Sequence, residues 1–218
     1  MRLLAFCPTA RLDEGTVRAI VNQVGVEFFD VMFTYDNPWK FDDRGNVMRN
    51  VQIAYEKMTR LVLSEGYDKV WIVESDIIPQ ADALKKLLEV DADVVSGLYV
   101  HRGHRHSPNL FDVCQGDDFG PPLTWDAIRA KWGQTIPISG GCQGCLLVDR
   151  RTLEGFSFRN EERAHGADLD FMAHCQKKGF EQMARLDVCC GHANDNGEIY
   201  WPDKENGYRT ELKGGTAS

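Results

Sequence analysis

Apolar and polar positions along the chain alternate between two periods. Compact runs of β-branched, aliphatic or aromatic residues occur at 3–6, 27–35 (EFFDVMFTY), 70–73 (VWIV), 93–100 (DVVSGLYV) and 145–148, each bounded by charge, glycine or proline. Such runs predict strands. Between them, apolar residues recur at helical spacing: Val17, Ile20, Val21 and Val24; then Val51, Ala54, Tyr55, Met58, Leu61 and Val62; then Ala83, Leu84, Leu87 and Leu88. These stripes predict a helix opening at Asp13 or Thr16, one over about 49–65 ended by Gly66, and one over 81–89 behind Pro79. Leu169, Met172, Ala173 and Gln176 predict a further helix over 166–179, with Gly179 as its stop. Residues 125–132 read as a short helix, 151–158 as a turn and short element, and 185–189 as a last strand. Strands and helices alternating at these intervals imply βαβ crossovers. The expected fold is therefore α/β, a mainly parallel sheet with helices on both faces.

Length and charge narrow the class. With 218 residues and 43% hydrophobic content, one domain over 1–212 suffices, divided into a nucleotide-binding half, 1–100, and a second half, 101–212. Residues 213–218 are expected to be a disordered tail. A net charge of −8 argues against general nucleic-acid binding, which needs a basic face, although HRGHRH at 101–106 is a local basic patch. No window is long and apolar enough for a signal-peptide core or a membrane span, so a cytoplasmic location is expected. Seven cysteines, an odd number, favour reduced thiols over a disulfide framework. Cys142 and Cys145 form a CxxC that could join Cys189, Cys190 and His192 around zinc, with adjacent cysteines an awkward second half. A non-catalytic, zinc-stapled binding module thus remains an alternative.

The chemistry concentrates at 69–79, KVWIVESDIIP. An apolar central strand runs directly into Glu74, Ser75 and Asp76. On one extended segment the two acids project to the same side, with Ser75 opposite. Open α/β sheets bind ligands at this carboxyl edge. Two hard-oxygen carboxylates there suit Mg²⁺ or Mn²⁺ carrying substrate phosphates; the plain alternative is an acidic surface turn.

Several signals in order resemble the nucleotide-sugar glycosyltransferases of the GT-A fold, closest in style to family 2. They are CPTAR after the first strand, TYDN after the second, Arg49-Asn50 opening a helix, ESD at 74–76, SGGCQG before a strand, GADLD at a helix start, and the late Gly191-His192. The resemblance spans residues 3 to 201. It implies a Rossmann-like, GT-A type domain and a metal-dependent transfer of a sugar from a nucleoside diphosphate sugar, UDP- or GDP-linked, to an acceptor hydroxyl. Asp76 then matches the last acid of the family's DxD motif and His192 its late metal-binding histidine, holding Mn²⁺ or Mg²⁺. Glu74 departs from the first aspartate of that motif and could reach a ribose hydroxyl or a metal-bound water. Pro8, Thr9, Arg11 and Asp36 would line the nucleobase pocket; Arg49, Ser75 and Arg102 would approach the nucleotide or its phosphates. Gly140 and Gly141 would admit the sugar or acceptor close to the backbone. Asp168 aligns with the second acid of the family's ED pair as general base, Ala167 replacing the first, and Asp170 is the second candidate. A sugar nucleotidyltransferase shares the architecture but would want a glycine-rich GxGxR-type loop with a lysine after the first strand, where this chain has CPTAR.

Overall fold

The apolar runs become the centre of one large mixed sheet. The computed structural model describes residues 1–9, 13–34, 37–39, 44–102, 106–113, 119–159 and 167–213. In chain order the elements are β1 (Leu3–Pro8), α1 (Glu14–Val21), β2 (Asp30–Thr34), α2 (Arg44–Glu65), β3 (Lys69–Val73), β4 (Ile77–Pro79), α3 (Ala83–Leu88) and β5 (Val94–Tyr99). The second half adds β6 (Leu110–Phe111), α4 (Trp125–Ala130), β7 (Thr135–Pro137), β8 (Gly140–Gly141), β9 (Cys145–Asp149), a 3-10 turn (Arg150–Leu153), α5 (Ala167–Lys177), β10 (Gln182–Ala193), β11 (Glu198–Asp203) and β12 (Gly207–Leu212).

The strand order is β12-β11-β10-β5-β9-β3-β1-β2, with β4 and β7 also pairing β10 and a separate β6-β8 ribbon. Parallel pairing joins β1 to β2 and β3, and β5 to β10. The expectation of a mainly parallel sheet fails at β9, which inserts antiparallel between β3 and β5. Val148 is partnered by Val70 on one side and Val94 on the other, and Leu147 by Trp71 and Val95. A strand from the second half thus fills the gap that a simple βαβ crossover would have closed. The β10-β11-β12 meander adds a second antiparallel block, of which only a short piece of β10 is foreseen by the apolar pattern.

Side-chain alternation along the central strands divides the core into two layers. Leu4, Phe6, Val70, Ile72, Leu146 and Val148 pack on Tyr55, Met58 and Val62 of α2 and on Phe171, Met172 and Cys175 of α5. Their neighbours Leu3, Ala5, Trp71, Val73 and Leu147 pack on Ile20 of α1 and on Leu84 and Leu87 of α3. Helices therefore cover both faces, as the stripes require. Asp13 caps α1 by accepting from the Gly15 and Thr16 backbone N–H groups at 2.9 and 3.4 Å, a contact worth about 1 kcal/mol in typical helices. Among the described residues no helix is long and apolar enough to cross a membrane.

Two local differences shape the site. Pro79 ends β4 rather than opening a helix, and β4 pairs antiparallel with β10 through His192↔Ile77, Gly191↔Ile78 and Cys190↔Pro79. Lys213, expected in the tail, donates its N–H to the Gly197 carbonyl at 2.7 Å and its ammonium to Asp13; residues 214–218 lie outside the described set.

Gly97 in β5 is a close-packing position. A Cβ there would stand 2.9 Å from Cys145 Sγ and 3.1 Å from Val188 Cγ1, both in the interior. Gly97→Ala should therefore lower stability by about 1–3 kcal/mol through overpacking. Urea unfolding checks this: the midpoint falls with an unchanged slope.

Candidate functional site

The site is built where β3, β5 and β10 end together. After Val73 the chain leaves the sheet in a turn, closed by the Ile77 N–H donating to the Glu74 carbonyl at 2.9 Å. The turn is why Ser75 does not point away from its neighbours: Glu74, Ser75 and Asp76 all line one cleft of about 590 Å³, contrary to the extended-strand expectation. The cleft also includes Pro8 and Thr9 from the end of β1, Asn37, Asn50 and Val51, Arg102 and Asp195. The backbone on either side is pinned, because Glu74 N–H donates to Gly144 O at 3.1 Å and Ala193 N–H to Asp76 O at 2.8 Å.

Asp76 is the electrostatic centre. Arg102 donates one guanidinium nitrogen to its Oδ2 and another to the Ala193 carbonyl at 3.0 Å. His192 Nδ1 lies 2.7 Å from the Val100 carbonyl. A carbonyl only accepts, so Nδ1 carries the proton. In a neutral ring Nε2 then offers a lone pair, and it stands 3.6 Å from the same Asp76 Oδ2. Two lone-pair donors facing each other at that distance call for a proton or a cation. Burial would raise the Asp76 carboxyl; when Nε2 of His192 carries a proton, that hydrogen bond and charge, with the charge of Arg102, outweigh it and hold the carboxyl below the usual range.

Glu74 is the opposite case. Burial first, then the charges of Asp76 and Asp168, push its carboxyl up to about 8, against a 3.2 Å hydrogen bond from the Tyr55 hydroxyl and the pull of Arg102. Neighbouring carboxylates with divergent proton affinities mark functional sites more often than plain surfaces.

Asp168, in the first turn of α5, lines a second cleft of about 550 Å³ with His101, Asn109, Phe111 and Cys142. It is electrostatically coupled to Glu74, and α2 contributes Val47 and Val51 to the first cleft and Met48 to the second. His101 and Arg102 divide one from the other along the chain. Burial raises the Asp168 carboxyl, opposed by backbone N–H groups at the helix start and by the Cys142 thiol, with Asp170 adding repulsion.

Not every expected residue converges. Arg49 is exposed and sits over the Trp39 ring at 5.0 Å. Its neighbour Asn50, unselected by the sequence reading as a site residue, faces the cleft and clamps Trp39, accepting from its N–H at 3.1 Å and donating to its carbonyl at 2.8 Å. Asn50 stands four residues before Ala54 on the inward stripe, a signal that favours it over Arg49. Asn37, also missed, donates to the Thr9 carbonyl at 2.7 Å. Gly140 and Gly141 are buried in β8, where a Cβ would meet the Phe119 ring at 2.8 Å and Ser96 Oγ at 2.6 Å; their smallness serves packing, and neither lines the first or the second cleft. Asp170 shares the α5 start with Asp168 but lines neither cleft. Arg11 and Asp36 lie outside the described residues.

Among the described residues no group of three or more His, Cys, Asp or Glu side chains is arranged to hold a metal ion by itself. Cys142, Cys145, Cys189 and Cys190 do not form such a group. Cys145 and Cys190 are buried in the interior, and burial pushes the Cys142 thiol up.

No family model and no curated protein matches the chain. Among solved structures, the crystal structure of A197 from STIV aligns with a TM-score of 0.63 at 16% identity, covering 100% of this chain and 97% of that one. That likeness establishes a shared fold alone. The resemblance to family 2 glycosyltransferases does not hold as a family assignment: no family model supports it, and a fold shared with A197 from STIV stands in its place. The segments that suggested it are two to six residues long, and each also satisfies ordinary strand-end, turn or helix-cap chemistry.

The raised Glu74 carboxyl has a measurable consequence. The folded state holds this proton up to about 8 and the unfolded chain only to 4.5, so between those values the folded state binds more protons and Glu74 makes stability fall as pH rises. Glu74→Gln should be more stable than wild type by roughly 1–3 kcal/mol at pH 8.5, with the advantage vanishing below about pH 4.5. Denaturation at several pH values reads this directly.

Proposed function

We propose that the chain is a metal-dependent glycosyltransferase, moving a sugar from a nucleoside diphosphate sugar to an acceptor hydroxyl. The observation that carries this reading is the facing pair of Asp76 Oδ2 and His192 Nε2 at 3.6 Å, at the carboxyl edge of the sheet, in an acidic cleft. Glu74, Asp76 and Asp195 line that cleft with Arg102 as the cation among its described residues, so an anionic diphosphate is poorly received without added positive charge. A carboxylate oxygen and an imidazole nitrogen fit Mn²⁺, and also Mg²⁺, held by few protein ligands and completed by substrate phosphates and water. His192 giving its other N–H to a backbone carbonyl is the outer-shell arrangement common to metal-binding histidines. Such an ion, when bound, would offset the charge that builds on a departing diphosphate. Mixed pairing in the sheet does not obstruct this, since the cleft is built from strand ends and the turn after β3.

The chain's own residues divide the remaining work. Arg102 leaves Asp76 to neutralise phosphate oxygens, a role suited to a guanidinium. Asn37, Asn50, Pro8 and Thr9 wall the side of the cleft where a nucleobase and ribose would lie. Asp168, kept basic by burial, takes the proton of the acceptor hydroxyl as that oxygen bonds to the anomeric carbon and the bond from this carbon to the diphosphate breaks.

Two measurements test this. A thermal-shift panel of UDP-, GDP-, CDP- and dTDP-sugars should give stabilisation by one nucleotide only with Mn²⁺ or Mg²⁺, near 2.7 kcal/mol at about a hundred times its dissociation constant. Asp76→Asn should abolish that gain while leaving the ligand-free melting point within a few degrees. Equal stabilisation without metal or in the variant overturns the metal assignment. Asp168→Asn should lower nucleotide release by about 10²–10⁴-fold with donor binding unchanged; full turnover in that variant removes the base.

A further inference from the structure

The second cleft differs from the first in charge and in the character of its walls. Its apolar surface comes from Met48, Pro108, Phe111, Pro122 and Leu169. Among its described lining residues Asp168 is the one carboxylate and there is no lysine or arginine. Asn109 contributes little freedom, because its Oδ1 accepts from the Tyr99 N–H at 2.9 Å and its Nδ2 donates to the Gly97 carbonyl at 3.1 Å. Ser107, His101 and Asp168 remain to meet a ligand's hydroxyls. At about 550 Å³ the cleft is within the range of small-molecule sites, which combine apolar walls with a few placed polar groups.

We propose that this second cleft is the acceptor site and that it takes an uncharged carbohydrate, one apolar ring face against Phe111 and Leu169 and a hydroxyl toward Asp168. The acceptor role rests on the transfer reading above; the ligand class rests on the cleft itself. A phosphorylated acceptor would bring its charge against the Asp168 carboxylate, whereas Arg102 offers a guanidinium to an anion in the first cleft. A purely aliphatic alcohol would make no use of the polar side of the cleft, where Ser107, His101 and Asp168 stand. A pyranose has both an apolar face and a hydroxyl rim, so it matches the two kinds of wall at once.

The test is methyl-detected NMR on the full chain, with Met48 and Leu169 reporting on the second cleft and Val47 and Val51 on the first. Methyl glucoside, methyl galactoside, N-acetylglucosamine and lactose are titrated beside glucose 6-phosphate. The expected result is saturable movement of Met48 and Leu169 by at least one neutral sugar, with glucose 6-phosphate binding at least tenfold more weakly than that sugar. Phe111→Ala should weaken the neutral sugar at least fivefold. Met48→Lys should reverse the preference toward glucose 6-phosphate. No response at Met48 and Leu169 to any neutral sugar, or equal or tighter binding of the phosphate by wild type, overturns the proposal. Adding UDP-sugar and Mn²⁺ separates the two readings. A nucleotide response at Val47 and Val51 without a carbohydrate response sinks the carbohydrate cleft alone. A carbohydrate response without any response across the nucleotide-sugar panel sinks the transfer reading and, with it, the acceptor role.

Discussion

The carboxylate of Asp76, held between the guanidinium of Arg102 and the imidazole of His192, is the contact on which the arrangement of the site depends. It forms because three strands end at one place. β3 stops at Val73 and turns, β5 carries the chain to the Val100 carbonyl that fixes the His192 tautomer, and β10 is drawn beside the turn by its pairing with β4. Each tie is a backbone hydrogen bond or sits next to one. The turn that carries Asp76 and the strand that carries His192 are therefore fixed by backbone hydrogen bonds of the sheet, a condition for a preorganised site.

Charge then decides what the site can do. Glu74 and Asp76 line one cleft and Asp168 the next, and the charges of Asp76 and Asp168 add to burial in raising the cost of ionising Glu74. Asp76 is kept ionised by its partners, while Glu74 and Asp168 are driven toward holding protons. On the proposed reading, Asp76 is then the anion that would hold a cation and Asp168 the carboxylate that would take a proton. Asymmetry between carboxylates set by burial and neighbours is a recurring way of assigning such roles.

Much of this frame is legible in the sequence, and the gaps have physical causes. The runs at 3–6, 70–73 and 93–100 show as strands because they are buried on both faces, and the stripes of α2 and α3 show because burial follows the helical period. The ESD turn is visible as acid at a strand end. The mixed sheet is not visible, since β9 pairs with β3 across a separation that puts Lys69 opposite Asp149, and local patterning carries no information about such pairing. The strands β11 and β12 are polar on one side and escape an apolar-run criterion. At the site, His192 reads as a candidate, but its tautomer depends on Val100, ninety-two positions away. Asn37 and Asn50 act through amide bonds to backbone, which no composition signal announces. Gly140 and Gly141 show the converse: a glycine pair reads as a ligand cradle and proves to be space for Phe119 and Ser96.

The central claim is that Asp76 and His192 together receive a divalent cation with a nucleoside diphosphate, and pulsed electron paramagnetic resonance of Mn²⁺ reads that coordination most directly. With the nucleotide identified by the thermal-shift panel bound to the full chain, the Mn²⁺ spectrum should show coupling to one histidine nitrogen. That coupling should change on ¹⁵N-histidine labelling and vanish in His192→Gln. A Mn²⁺–nucleotide spectrum that carries no protein nitrogen, or that is unchanged in His192→Gln, would contradict the account.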